Sequence, residues 1–481
     1  MKKYYLNKGV RKRMVEYLGG DSLAEATCVY LTRCDVQNYD LLELKRPAEL
    51  DYFLEHGLDV GRSLWDRKAL LAHLDIEYVN FDFPAEPYLD LPRTFNLQEP
   101  VIKEIKAILA GYDILPLHLI SGRGHHFVWQ IPFHTKAFER LLEVENSFPG
   151  GTKNCKVYCA ALDETIPDDL NQAFAGLGFI MEFIAHKGKE RAAGRSRLPV
   201  ELTAVEAGPG ERGREIISID ISEYGDPLHT RMVRIPFSLY RKPWVKSIGL
   251  EQLSAGKIPQ LVMIPGNGMN SRKIVEVMQN LQAAAELAAR TSTRIPTVAK
   301  AMELLIAEYM QSRLRQFHLW FYAQEHEPYG RWPQTYDLTP LEMLPPCVGR
   351  ALRQPNDLLL IPAYIQLLVR SMLAMGWHPR HIAGLIRSKY ERDYGWGPYW
   401  LTYDAASRAD FYTRIFAGLF VTEGDNLIDF NCLSTQEKGL CASPGEHCQL
   451  ERFKRSLLAR RHHDRLACRP FNRLFLQKEP L

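Results

Sequence analysis

Long hydrophobic runs, a strong net charge and C-x2-C cysteine pairs are all missing from this sequence. The 481 residues carry a formal net charge of +3, which is too small to indicate a polyanionic partner by itself. The most apolar stretch, residues 358–376, is interrupted by Gln366 and Arg370, so it predicts a buried helix and not a membrane span. The first 20 residues contain no apolar core of the secretory type. We therefore expect an intracellular, cytoplasmic protein with no membrane partner.

The nine cysteines include no C-x2-C pair. In a long chain without a secretory signal, grouped cysteines bind metals more often than they form disulfides. Cys155 and Cys159 form a C-x3-C pair with no second pair near them, which is a weak basis for a zinc site. Internal repeats and low-complexity tracts are also missing.

Secondary-structure patterns change along the chain. From about residue 71 to residue 245, strand-like runs alternate with helical ones, and after that strands largely vanish. This pattern predicts an α+β catalytic domain over residues 1–245, with an N-terminal extension over 1–70. The pattern also predicts a helical connector over residues 246–335, followed by a mainly helical domain over residues 336–481.

The segment SGRGHHFVWQI, residues 121–131, predicts a glycine-rich turn that leads into a strand. Because side chains alternate along a strand, His125 shares a face with Phe127 and Trp129, and His126 points to the opposite side. The first face is apolar, so His125 is expected in the core. His126 and the turn could form a phosphate cradle, since glycines let backbone N–H groups approach an anion. An ordinary hairpin explains the same turn.

Three acids leave their predicted strands opposite to apolar neighbours. Asp75 and Glu77 are two residues apart in LDIE, and Asp220 alternates with isoleucines in IISID. Carboxylates at such positions can hold Mg²⁺ or Mn²⁺. They also occur without any metal on the wet face of a half-buried sheet. Two basic segments, residues 187–197 and 451–473, suit either a phosphate backbone or a solvated helix face.

In this order, LDIE, SGRGHH, SID and RIPFSLYRK resemble the motifs of the archaeo-eukaryotic primase superfamily, the primase-polymerases. The resemblance covers roughly residues 70–245 and implies an RRM-like catalytic core. It also implies that the acids Asp75, Glu77 and Asp220 are catalytic and bind Mg²⁺ or Mn²⁺. The nucleotide-binding residues that it implies are Ser121, Arg123, Gly124, His126, Arg234, Ser238 and Lys242.

A second resemblance lies in the helical half. LPPCVGRAL and FNCLSTQEKGLCASPGEHC are similar to the C-terminal domain of primase large subunits. The resemblance implies a 4Fe–4S cluster that is bound by Cys347, Cys432, Cys441 and Cys448. Four thiolates suit zinc as well as iron and sulfide, so zinc, or no metal, stays an alternative.

Together the resemblances imply a DNA-dependent primase/polymerase that synthesises a primer on single-stranded DNA by two-metal nucleotidyl transfer. Its partners would be a single-stranded DNA template, nucleoside triphosphates and a helicase or another replication protein. Three alternatives stay open: a repair or tolerance polymerase that extends primers without initiating them, a metal-dependent nuclease, and a nonenzymatic nucleic-acid-binding protein.

Overall fold

The structure is a computed structural model that describes residues 2–34, 43–149, 158–203, 214–245, 258–266, 268–353, 355–390, 405–441 and 449–462. The chain divides into two compact units. The first unit holds the described residues up to Asn146, from 158 to 203, and from Glu215 to Glu308. The second, called the helical unit here, consists mainly of the described residues from Tyr309 onward. The described part of the predicted connector, residues 246–335, is shared between the two units.

The described strands belong to the first unit and are β1 (Leu31–Arg33), β2 (Val60–Ser63), β3 (Ala69–Asn80), β4 (Leu117–Ile120), β5 (Gly124–Pro132), β6 (Tyr158–Cys159), β7 (Glu164–Thr165), β8 (Val200–Leu202), β9 (Glu215–Asp220), β10 (Met232–Arg234), β11 (Leu239–Tyr240), β12 (Leu261–Val262) and β13 (Ile264–Pro265). Its helices are α1 (Lys2–Tyr5), α2 (Lys8–Tyr17), α3 (Leu50–Glu55), α4 (Glu86–Leu89), α5 (Leu91–Ala110), α6 (Lys136–Asn146), α7 (Asp168–Ala192), α8 (Lys242–Val245), α9 (Ser271–Gln279), α10 (Leu281–Arg290) and α11 (Lys300–Gln311), which ends just past the unit boundary.

A six-stranded mixed sheet organises the first unit, in the order β13-β4-β5-β3-β9-β8. The long strand β3 is central and pairs antiparallel with β5 on one side and β9 on the other. Strand β8 runs parallel to β9 at the edge. A separate three-stranded sheet has the order β1-β2-β10. Together with the helices, these sheets confirm the predicted α+β class.

Helices α5 and α7 cover one face of the central sheet, called the helix face here. Ile76 of β3 and Ile219 of β9 are fully buried on this face. A Cβ atom at Gly188 of α7 would lie 2.6 Å from Ile105 and 3.0 Å from Ile219, so glycine lets α7 approach both α5 and the sheet. The opposite face carries the predicted acids.

The helical unit contains α12 (Arg313–Tyr322), α13 (Pro346–Arg353), α14 (Pro362–Ala374), α15 (Pro379–Tyr390), α16 (Ala405–Val421), α17 (Cys432–Glu437) and α18 (Leu450–His462). The buried helix predicted over residues 358–376 is confirmed as α14. Its Arg370 is 5% exposed and pairs with Asp425 at 2.7 Å and Asp429 at 3.0 Å, which compensates the burial of the guanidinium. Within the described ranges, no helix has both the length and the apolar character needed to cross a bilayer.

Candidate active site

Strand β3 brings the predicted acids to one face of the central sheet. His73, Asp75 and Glu77 alternate with buried apolar residues, so they share the face opposite the helix face. The register sets Asp75 directly across from Asp220 on β9 and from His126 on β5. We call this surface the carboxylate face. It brings together Asp75, His126 and Asp220, which are separated by 51 and 94 positions in the sequence.

The glycine-rich turn holds the start of β5 tightly against β3. The N–H of Ser121 donates a hydrogen bond of 2.8 Å to the carbonyl of Gly124. A Cβ atom at Gly124 would lie 2.2 Å from the carbonyl oxygen of Ile76, so only glycine fits this approach. The carbonyl of Arg123 accepts hydrogen bonds from the N–H of Tyr78 and from the side-chain amide of Gln98. These contacts aim the Arg123 side chain along the carboxylate face.

Arg123 and Glu77 form a two-pronged ion pair. The Nε atom of Arg123 donates to Oε1 of Glu77 at 2.8 Å, and Nη2 donates to Oε2. Burial by itself would raise the pKa of Glu77, but the charges of Arg123 and Lys242 outweigh it and lower that pKa below its ordinary value. Glu77 is therefore an ionised carboxylate on this face.

The pKa of Asp75 is shifted in the opposite direction to that of Glu77. Its Oδ1 atom lies 3.3 Å from Nδ1 of His126, yet it is buried and no aligned donor reaches it from the described residues. Burial, followed by the carboxylates of Glu77 and Asp220, raises the pKa of Asp75 well above its ordinary value. A buried carboxylate oxygen in this state is stabilised by a proton or by a cation.

The two adjacent histidines lie on opposite faces, as the strand alternation predicts. His125 is 4% exposed and packs edge-on against Phe95 of α5. Its Nδ1 lies 2.8 Å from Nε2 of His118, with the two rings stacked. His126 lies on the carboxylate face, where burial, and next the neighbouring groups of His73 and Arg234, lower its pKa well below the ordinary value.

Cationic side chains from the segment after β9 complete the surroundings. Arg234 stacks over the ring of Tyr240 at 4.2 Å and pairs with the fully buried Asp59. Lys242, at the first position of α8, acts electrostatically on both Asp75 and Glu77. Among the described residues it has no ion-pair partner within 4 Å. Lys242 is thus a cation whose charge is available to a ligand.

Two of the predicted nucleotide-binding residues lie inside the scaffold. Ser238 is fully buried, and its hydroxyl donates to the carbonyl of Ile235 at 2.7 Å. Ser121 is 1% exposed and its N–H closes the turn to Gly124. In this structure both serines hold backbone turns that position their neighbours Arg123 and Arg234.

A divalent cation fits the donor set on the carboxylate face. Carboxylate oxygens are the ligands that Mg²⁺ prefers, and Mg²⁺ is often held by one or two carboxylates together with water and substrate phosphates. Asp75, with its unsatisfied oxygen, and Asp220, directly across from it, meet that description. No three acidic, histidine or cysteine side chains of the described residues converge on one point, and this includes the carboxylate face. Glu77 is turned toward Arg123, so substrate and water would complete the coordination.

The predicted iron–sulfur ligands belong to the helical unit. Cys347 is buried in α13, and Cys432 is the first residue of α17. Cys441 follows α17, where its N–H donates to the carbonyl of Thr435. Cys448 lies outside the described residues. None of the cysteines that the structure describes takes part in a disulfide, and Cys347, Cys432 and Cys441 do not form a metal-binding group among the described residues.

The basic segment over residues 187–197 is largely paired inside the first unit. Lys187 pairs with Glu308 at 2.5 Å, and Lys189 with Glu201 at 2.8 Å. These contacts tie the end of α7 to its neighbours, as expected of a solvated helix face. In the second segment, 451–473, residues 463–473 lie outside the described ranges.

Three residues near the site belong to none of the sequence motifs. The strand alternation does indicate His73, since it stands two positions before Asp75 and so shares its face. Glu223 lies on the turn after β9, and its Oε2 accepts from Nδ1 of His73 at 2.7 Å. Asp59 binds Arg234 from 175 positions away. No local pattern marks Glu223 or Asp59, because each acts through a partner that is distant in sequence.

No protein-family model, curated protein or solved structure matches this chain. The assignment of the carboxylate face therefore rests on the residues and contacts of the site itself.

Proposed function

We propose that the first unit is the catalytic domain of a DNA-dependent primase/polymerase, which joins nucleotides on a single-stranded DNA template. One observation carries the proposal: Asp75 lies between Asp220 and His126 on a sheet face that Arg123 and Lys242 also reach. Acids that can hold cations beside basic groups that can hold a triphosphate are what nucleotidyl transfer needs.

The arrangement of the central sheet supports an RRM-like core. Strand β3 carries the paired acids at the centre of a mixed sheet, and two helices cover the opposite face. The centre of the substrate side carries the polar residues His73, Asp75 and Glu77, while the helix face contributes to the hydrophobic core. This division agrees with the two-layer arrangement that the resemblance implies.

Each residue of the face has a distinct role in the proposal. Asp75 and Asp220 would hold Mg²⁺ or Mn²⁺, which would supply positive charge to the triphosphate and promote ionisation of the attacking 3′-hydroxyl, and Glu77 would fix Arg123 beside them. Asp75 is suited to this role because its buried oxygen has no donor of its own among the described residues.

The basic and histidine side chains would bind the incoming nucleotide. Lys242 offers a charge without an ion-pair partner in the described chain, and Arg234 is held in place by Asp59 and Tyr240. His126 reaches the same face from β5. A nuclease also needs metal-binding acids, but it has less use for cations arranged around a triphosphate.

For the helical unit, we propose a 4Fe–4S cluster bound by Cys347, Cys432, Cys441 and Cys448. The support is chemical: the described cysteines carry no disulfide, and their spacing includes no C-x2-C pair of the zinc-knuckle type. This unit would hold template during initiation, when no duplex yet helps to position the substrates.

The direct test is incubation with unprimed single-stranded DNA, labelled nucleoside triphosphates and Mg²⁺ or Mn²⁺. We expect short labelled products, and none from Asp75→Asn. Glu99→Gln, on the exposed side of α5, is the matched acid-to-amide control and should behave like the wild type.

The other outcomes discriminate the alternatives. Extension of a supplied primer without products from unprimed template would identify an extending polymerase. Loss of the DNA substrate without nucleotides would identify a nuclease. If the protein shows neither synthesis nor cleavage, the proposal of an enzyme on this face is overturned.

A further inference from the structure

A chain of three side chains leads from the turn after β9 into the carboxylate face. Nδ1 of His73 donates to Oε2 of Glu223 at 2.7 Å. Nε2 of His73 shares a hydrogen bond of 3.0 Å with Nδ1 of His126. The two imidazole rings stack, with centroids 5.2 Å apart and planes inclined by 16°. Both ring nitrogens of His73 are therefore used, one on each side.

His73 itself is held firmly. Its side chain is 6% exposed, and the hydroxyl of Tyr224 bonds to both backbone groups of His73. This hydroxyl replaces a ladder partner, because the pairing of β3 with β9 begins only at Asp75 and Asp220. A histidine fixed at the backbone and at both ring nitrogens has little freedom to move.

The consequence falls on His126. With Nδ1 directed to His73 and 3.3 Å from Asp75, the ring of His126 has one remaining nitrogen, Nε2. When one nitrogen of an imidazole is engaged, that contact decides how the other is presented to a ligand. We propose that Glu223 and His73 are positioning residues: because Nδ1–H of His126 donates to Nε2 of His73, Nε2 of His126 is left as an acceptor that meets a hydroxyl group of the incoming nucleotide. This inference rests on the proposed function and adds two residues to its site.

A second stacked histidine pair in the same sheet provides a matched control. His118 and His125 lie on the helix face, with ring centroids 5.1 Å apart, planes inclined by 16° and a 2.8 Å contact between nitrogens. The two pairs share their geometry and differ in the face that they occupy. A general effect of disrupting a histidine stack would appear in both, and an effect of positioning only in the pair with His73.

The experiment measures nucleotide affinity and melting temperature of the full chain side by side. Affinity is read by titration of a nucleoside triphosphate with Ca²⁺, which keeps turnover low. His73→Ala and Glu223→Ala should each weaken affinity about tenfold, the effect of losing one well-placed hydrogen bond. Glu223→Gln keeps an acceptor oxygen and should retain most of the affinity. His118→Ala should lower the melting temperature and leave the affinity unchanged.

A double-mutant cycle separates positioning from bulk stability. In a His126→Ala background, His73→Ala should cause no further loss of affinity, because the residue through which it acts is gone. Additive losses, an unchanged affinity in folded His73→Ala, or an equal loss in His118→Ala would each overturn the inference.

The ring signals of His126 in ¹⁵N NMR spectra give a readout that needs no nucleotide. They should shift in His73→Ala and remain nearly unchanged in His118→Ala. A wild-type chain that binds no nucleotide overturns the proposed function. In that event, unchanged His126 signals in His73→Ala would also overturn the positioning role, and shifted signals would uphold it.

Discussion

Adjacent histidines on opposite sheet faces should respond differently to the same substitution. His125→Ala removes a ring that is 4% exposed and packed against Phe95 and His118, and it breaks one 2.8 Å contact. Nε2 of His125 is buried and has no hydrogen-bond partner among the described residues. Removing the ring also removes the cost of burying this nitrogen, which offsets part of the lost stability. We expect destabilisation by about 2–3 kcal/mol, from the cavity and the lost hydrogen bond. His126→Ala, at the partly open site, should cost about 1 kcal/mol.

Calorimetry and nucleotide titration on both variants test this expectation. For a unit of nearly 300 residues, about 2 °C is lost per kcal/mol, so His125→Ala should melt about 4–6 °C lower. Its affinity for a nucleoside triphosphate should stay near that of the wild type. His126→Ala should melt within about 2 °C of the wild type and bind the nucleotide at least about tenfold more weakly.

Removing His125 should also change how the stability depends on pH. Burial, and next the charge of Lys106, lower the pKa of His125 to about 3. Below about pH 6.5 the unfolded chain therefore binds a proton at His125 that the folded chain does not. The free energy of unfolding is not reduced by this group above about pH 6.5, and it falls as pH falls below that value. The slope for one such group is about 1.4 kcal/mol per pH unit between pH 6 and pH 4. His125→Ala should show a shallower decline than the wild type over that interval.

The reverse pattern would refute the reasoning. A stable His125→Ala with weakened nucleotide binding, beside an unstable His126→Ala with normal binding, would mean that β5 is shifted by one residue. Such a shift would exchange the helix face and the carboxylate face along the whole strand.

Four further predictions concern the acids, the buried ion pairs and the cysteines. Asp220→Asn should lower nucleotide incorporation by at least about 100-fold and spare binding of single-stranded DNA, because the shape is kept and the charge is lost; near-normal incorporation by the folded variant would contradict the metal site. Arg370→Ala should destabilise the helical unit by about 3–5 kcal/mol, seen as a lower calorimetric transition, since two buried aspartates lose their partner. Burial alone would raise the pKa of Asp429, but the charge of Arg370 and a nearby lysine outweigh it and hold that pKa well below its ordinary value. The stabilisation that ionised Asp429 gives to the helical unit is present above about pH 4 and is lost as pH falls. Asp429→Asn should therefore make the stability of that unit less sensitive to acid. Anaerobically purified protein should absorb broadly near about 400 nm, and this band should vanish in Cys347→Ser and persist in Cys159→Ser; stoichiometric zinc without iron would contradict the cluster.

Local periodicity was sufficient to predict the faces of the strands. The alternation in residues 125–131 separates His125 from His126, and the alternation around Asp75 and Glu77 sets both acids opposite the apolar residues. The buried helix over 362–374 was also predictable, because its sequence is apolar apart from Gln366, Arg370 and Ser371. These features depend only on neighbours a few positions away, and the chain displays them directly.

The composition of the site was decided by tertiary structure. Asp75 meets Asp220 only because β3 pairs with β9 in one register, and a shift by one residue would turn the acids to opposite faces. Gly124 is required by the carbonyl of Ile76, 48 positions away, and not by the turn alone. The partners Glu223 and Asp59 act on His73 and Arg234 across 150 and 175 positions. A residue that works through a distant contact leaves no period or spacing in the sequence, because only the folded chain brings the two groups together.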